Sequence, residues 1–123
     1  SGISSDARDI QAAVENGDER AILTTSLYTN RAVNVIGGYY MQLGHTDAMV
    51  FTAGLGENDD QTRERILKGL EEGMGLSIDY DKNKGVHGQE ALISKADSKV
   101  AVYVIPTNEE LMIVRDTMRL LGL

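Results

Sequence analysis

The sequence predicts an α/β fold in which parallel strands are covered by helices and the sheet is incomplete. Three observations predict it. Two short, continuous apolar runs lie at 48–51 (AMVF) and 100–105 (VAVYVI), the pattern of strands buried on both faces of a parallel sheet. Helical periodicity fills the segments before, between and after them. The order helix, helix, strand, helix, excursion, strand, helix then requires a crossover between the strands, which is right-handed in nearly all such units. Two central strands cannot cover their own edges, so further strands are expected from a part of the protein preceding Ser1 or from a second copy of the chain.

Residues 4–15 read as a short helix, with Ser5 or Asp6 as cap, Asp9 in the first turn and Asn16–Gly17 as the stop. Asp18 opens a long helix that ends near Gly44. Ala21, Tyr28, Ala32, Val35, Tyr39 and Leu43 recur at helical spacing, which predicts its inner face. Gly37 and Gly38 predict a bend or a close approach within it. The first strand runs over 47–53 into the turn Gly54–Leu55–Gly56. A third helix spans 58–72, with Asn58 and Gln61 spaced as a capping box, Ile66, Leu67 and Leu70 as its stripe, and Gly73 and Gly75 ending it. Residues 77–89 are polar and glycine-containing and predict a surface excursion with a short strand at its start. Residues 91–94 suit an edge strand. After the second apolar strand, Pro106 stops the ladder, and Thr107 with Glu110 caps a last helix whose inner residues are Leu111, Val114, Met118 and Leu121.

Composition narrows the function classes. The chain has 123 residues, with 12 Lys plus Arg against 19 Asp plus Glu and a net charge of −7. The cations are dispersed as Arg8, Arg31, Arg63, Arg65, Lys82, Lys84, Arg115 and Arg119, and read as solvated surface charges. An acidic chain with scattered cations lacks the basic stripe of a nucleic-acid binder. Cysteine is absent, which removes disulfides and thiolate-held metals. No apolar run reaches the ~20 residues of a membrane span, and no secretory leader opens the chain. A cytoplasmic location is expected.

Three segments can carry chemistry. In FTAGLGEN, residues 51–58, a strand runs through a glycine turn into a helix start. Glycines let a ligand approach the backbone, helix N-termini attract anions, and open α/β sheets bind ligands beyond the carboxyl ends of their strands. A plain tight turn has the same glycines. Asp59 stands where a dinucleotide fingerprint needs a third small residue, and no G-K-[ST] occurs for a P-loop. In PTNEE, residues 106–110, Glu110 serves the capping box and Glu109 is left for solvent or a metal such as magnesium. In SGISSDARD, residues 1–9, Arg8 can pair with phosphate, stack on a base, or simply face solvent. His45 and His87 lack ligand spacing and read as loop residues, Tyr39 and Tyr40 as packing, and Met41, Met49, Met74, Met112 and Met118 as core filler.

Taken together and in order, SGISSDARD, VFTAGLGEN and VIPTNEELMIVRDT closely resemble the C-terminal part of the acetokinase family, within the sugar kinase, Hsp70 and actin superfamily. The resemblance runs essentially from Ser1 to Leu120. It implies the C-terminal part of an actin-like ATPase domain of ribonuclease H-like type, over the whole of residues 1–123. It implies reversible transfer of the γ-phosphoryl group of ATP to acetate, giving acetyl phosphate and ADP, with Mg2+ as cofactor and a homodimer as the assembly. Carried over residue by residue, Asp6, Ala7, Arg8, Gly54, Leu55, Gly56, Glu57 and Asn58 line the nucleotide pocket, and Glu109 matches the magnesium-site residue. Leu55 stands where the family often has isoleucine, a conservative change at a backbone-mediated site.

The family's acceptor pocket, its catalytic aspartate and arginines, and its H-L-G-N-G phosphate loop have no match between Ser1 and Leu123. No catalytic residue is therefore expected in the chain, and turnover by it alone is not expected. A propionate or other short-chain acyl kinase and a non-catalytic dimerisation module are the alternatives.

Overall fold

The computed structural model describes residues 15–52 and 59–107. The helices expected before Glu15 and after Thr107 lie outside them.

Helix α1, Glu19–Leu43, starts where expected because Asp18 caps it: its carboxylate accepts the N–H groups of Arg20 at 2.9 Å and Ala21 at 3.1 Å. Such a cap contributes about 1 kcal/mol. Gly44, at φ 72°, ends the helix in a conformation that a side chain would resist. The helix continues uninterrupted through Gly37 and Gly38, and no described atom lies within 4 Å of a Cβ built on either. The inner face also differs. Ala21 is buried, and Ala32, Val33, Ile36 and Tyr40 pack inward, while Tyr28, Val35, Tyr39, Leu43 and Met41 are exposed. The helix carries more than one apolar stripe, and only the stripe that meets the next helix is covered.

Strand β1, Ala48–Phe51, has Met49 and Phe51 half-buried and Ala48 and Val50 exposed. The expectation of burial on both faces is not met within the described residues, whose helices cover one face. Helix α2 spans Asp60–Met74. Its cap is Asp59, one residue after the expected Asn58, which lies outside the described residues. The Asp59 carboxylate accepts the Thr62 N–H at 3.0 Å and the Thr62 hydroxyl at 2.7 Å. The Gln61 amide instead donates to Glu15 Oε1 at 3.2 Å. A charged acceptor with two donors three residues on outcompetes a neutral amide. Gly75, left-handed at φ 65°, closes α2.

The excursion contributes more than surface. It holds a short helix α3, Tyr80–Lys84, capped by Asp79, and it sends Ile78, Val86 and the side chain of Asn83 into the interior. Its neck is tied by Lys99 N–H to Gly75 O at 2.9 Å, Lys95 N–H to Ser77 O at 2.8 Å, and Ser77 N–H to the Ser98 hydroxyl at 3.0 Å. Strand β2, Ala91–Leu92, is the expected edge strand, and Ile78 bridges Ser94 beside it. Strand β3, Ala101–Val104, alternates half-buried and buried residues, with Val102 and Val104 fully enclosed.

Among the described residues the sheet has the order β1-β3-β2. β1 and β3 are parallel, with Ala48 opposite Ala101 and Phe51 opposite Val104, and β2 is antiparallel to β3. Helix α2 is central to the packing. Leu67 joins Ile93, Val102 and Val104 against the sheet, while Ile66, Leu70 and Met74 meet the inner stripe of α1. Burying each of these side chains stabilises the fold by about 1.5–3 kcal/mol. No described helix is long and apolar enough to cross a membrane.

Candidate functional site

The carboxyl ends of β1 and β3 lie side by side because the strands are parallel and in register. Among the described residues the last backbone bond between them is Ile105 N–H donating to Phe51 O at 2.9 Å. Ala101 and Ile105 donate to β1 from alternate positions, so the nitrogen of Pro106 faces away from β1 and its missing N–H bears on the other edge of β3. Just beyond, the hydroxyls of Thr52 and Thr107 are 3.0 Å apart, and either can donate. The glycine turn begins one residue after Thr52, and Asn108 and Glu109 follow Thr107. The fold therefore brings the starts of two of the three chemistry-bearing segments to one edge, 55 residues apart in sequence. That edge is where open α/β sheets receive ligands.

The residues named from the sequence, Asp6, Ala7, Arg8, Gly54, Leu55, Gly56, Glu57, Asn58 and Glu109, all lie outside the described residues. Among the described residues, no three His, Asp or Glu side chains gather to hold a metal ion. His45 bonds Asp47 at 2.7 Å on the surface. His87 lies 3.2 Å from Asp60 and 3.0 Å from the Lys84 carbonyl.

On the far side of the glycine turn stands the start of α2. It does not offer a row of free N–H groups, since Asp59 already takes that of Thr62, and Asp60 adds a second carboxylate to the first turn. Two acidic side chains complement the helix dipole themselves, so this helix end is a poor seat for an anion.

This end of α2 is held by a buried node that sequence inspection missed. Arg63, taken from the sequence as a surface charge, is fully buried. Its Nε donates to Asn83 Oδ1 at 2.8 Å, and its Nη2 donates to the carbonyls of Asn83 at 3.0 Å and Val86 at 2.6 Å. Asn83 in turn donates to the Asp60 carbonyl at 2.9 Å. Burial draws the Arg63 pKa below its ordinary value, and the charges of Asp60 and Asp59 oppose that shift. The signal available in the sequence was weak: an arginine on the apolar side of a helix, next to Ile66 and Leu67. A second polar cluster lies on α2 away from the strand ends. The Tyr80 hydroxyl donates to Glu71, and the Lys68 ammonium sits 5.2 Å over the Tyr80 ring. Burial, then the bond to Glu71, then the charges of Glu71 and Glu64 raise the Tyr80 pKa.

Comparison with known proteins agrees with this geometry. The profile of the Acetokinase family matches residues 1–115. An acetate kinase of Shouchella clausii is 52% identical over 119 residues, which is 97% of this chain and 30% of that protein. The crystal structure of Porphyromonas gingivalis acetate kinase superposes with a TM-score of 0.88 at 46% identity, covering 98% of this chain and 30% of that one. A propionate kinase from Francisella tularensis gives a TM-score of 0.77 at 32% identity over 90% of this chain and 28% of its own. The chain thus spans about 30% of the length of the curated relatives it matches.

Proposed function

The chain belongs to the acetokinase family, and from that premise we propose that it is the C-terminal nucleotide-binding portion of an acetate kinase. The complete enzyme would transfer the γ-phosphoryl group of ATP to acetate and release acetyl phosphate and ADP. The actin-like, ribonuclease H-like domain would be completed by strands outside residues 1–123. The observation that supports the proposal is the meeting of the strand ends at Thr52 and Thr107, the residues from which the glycine turn and the NEE segment continue in sequence. Phosphoryl transfer depends on positioning and on neutralising charge along an in-line path, and two arms converging on one nucleotide supply part of both.

In this proposal Asp6, Ala7, Arg8, Gly54, Leu55, Gly56, Glu57 and Asn58 line the nucleotide pocket. Because Asp59 caps α2, the cap does not need Asn58. The donor set suits Mg2+: the chain has no cysteine, and hydroxyl oxygens stand at both strand ends, the hard ligands that cation takes. Glu109 would provide its carboxylate. Bound magnesium would neutralise phosphate charge that the acidic first turn of α2 repels. The acceptor pocket and catalytic groups would come from outside this chain, in a cytoplasmic homodimer.

Calorimetry of the 123-residue chain with MgATP and MgADP tests the proposal, with an acetyl phosphate assay alongside. Heat of binding without turnover is the expected result. Absence of binding at millimolar nucleotide, with self-association on a sizing column, favours a dimerisation module instead. The exposed Leu23, Leu27, Tyr39, Met41 and Leu43 of α1 are the observation on that side. The propionate kinase match favours a short-chain acyl kinase of different selectivity, which substrate comparison in the complete enzyme would decide.

A further inference from the structure

The turn that leads into α1 is made of Asn16 and Gly17, and both are exposed. Gly17 stands at φ 79°, and no described atom lies within 4 Å of a Cβ built on it. Its N–H is no part of the α1 ladder, whose first bond runs from Ile22 N–H to Asp18 O. Asn16–Gly17 is the one place in the chain where glycine follows asparagine. Asparagine is a thermolabile residue, and its side-chain carbonyl lies within reach of the next backbone nitrogen. A following glycine has no Cβ to obstruct that approach. The other described asparagines differ. Asn30 and Asn34 lie inside α1, where Arg31 and Val35 follow them. Asn83 is buried and held by Arg63 and the Asp60 carbonyl.

We propose that Asn16–Gly17 is a self-modification site, at which the chain converts asparagine to isoaspartate and aspartate in water. The Gly17 nitrogen gives its proton to a water-derived base and attacks Cγ of Asn16. A Cγ–N bond forms, the Cγ–Nδ2 bond breaks, and the amide nitrogen leaves as ammonia with a proton from water. The product is a five-membered succinimide. Water then adds to one of its two carbonyls. Opening on the Cα side leaves the chain running through the former side chain, as isoaspartate. Opening on the other side leaves aspartate. No electrons are transferred, and water is the only co-reactant. Either product adds one negative charge to a chain already at −7. The isoaspartyl form also lengthens the backbone between Glu15, which accepts from Gln61 of α2, and Asp18, which caps α1.

The test ages the folded 123-residue chain in mildly alkaline oxygen-18 water and follows it by ion exchange and peptide mapping. A synthetic peptide of residues 13–20 is aged beside it. The expected result is a more acidic form carrying oxygen-18 at residue 16, with isoaspartate among the products. Its rate should lie within about threefold of the peptide's, since an exposed turn opens at almost no cost. Asn30 and Asn34 should lag about tenfold or more, because α1 must open first. Asn16→Gln keeps an amide but closes a larger ring, and it is expected to lose the acidic form. Asn16 remaining intact in the folded chain while the peptide converts overturns the proposal, as does an equal rate at Asn30 and Asn34.

Discussion

Gly69 of α2 faces Val33 of α1 so closely that a Cβ on Gly69 would lie 2.7 Å from Val33 Cγ2. The two helices cross where one of them has no side chain.

Gly69→Ala is expected to destabilise the chain. Overpacking costs about 1–3 kcal/mol, and the better helix propensity of alanine returns about 1 kcal/mol. Valine is branched and stiff at χ1, so the contact cannot be relieved by a simple rotation. The net loss should be about 1 kcal/mol in urea melts. Adding Val33→Ala should return most of the overpacking term, and a double-mutant cycle with no coupling would show that the helices do not meet there.

Arg63→Leu should be among the most damaging single changes. It removes a fully buried guanidinium and leaves Asn83 Oδ1 and two carbonyls without this donor. Each abandoned buried acceptor costs about 1–3 kcal/mol. A total near 3 kcal/mol would be a large part of the stability of a domain this size. Asn83→Ala should cost less, since it removes one acceptor and the bond to Asp60. Urea midpoints of the two variants check the order.

Asp59→Ala should cost about 1 kcal/mol as a lost helix cap, while Asn58→Ala should leave the melting temperature nearly unchanged. The reverse order would move the start of α2 back to the position that the sequence suggests. Nucleotide titration of the same two variants separates the roles further. Asn58→Ala is expected to weaken binding, and Asp59→Ala to spare it wherever the helix remains folded.

Tyr80 sets a limit at high pH. Its folded pKa is raised above the ordinary tyrosine value of about 10, so the unfolded chain releases this proton first as pH increases. Its contribution to stability is complete below the unfolded pKa and is lost as pH climbs towards the folded one. Wild type should lose stability above about pH 10 more steeply than Tyr80→Phe. Tyr80 should form tyrosinate late in an absorbance titration of the folded chain. Equal slopes for the two proteins would mean that the Tyr80–Glu71 bond does not form in solution.

What the sequence made legible was mostly local. Asp18 and Gly44 bound α1, Gly75 ends α2, and AMVF and VAVYV form the parallel pair, because caps and apolar runs act over a few residues. Choices between near neighbours were harder. Asn58 and Asp59 are both good caps, and the hydroxyl of Thr62 decides between them. α1 has apolar residues on several faces, and the position of α2 selects Val33 and Ile36 over Val35 and Tyr39. Contacts between distant residues left no trace: Arg63 with Asn83 is 20 residues apart and Thr52 with Thr107 is 55. For the site, the sequence singled out three segments, and the fold brings the first residues of two of them to one edge.

The tied neck of the excursion bears on how the chain reaches its structure. β1 and β3 must find each other across an intervening loop, and such pairing is slow because closing a long loop costs entropy before any contact forms. Joining Lys99 to Gly75 short-circuits the residues between them, so the remaining search spans α2 and the few residues that flank it. The neck then belongs in the folding nucleus. Ser98→Ala, which removes the hydroxyl held by Ser77, should slow refolding more than it speeds unfolding, and stopped-flow chevrons with the opposite pattern would assign the neck to a late step.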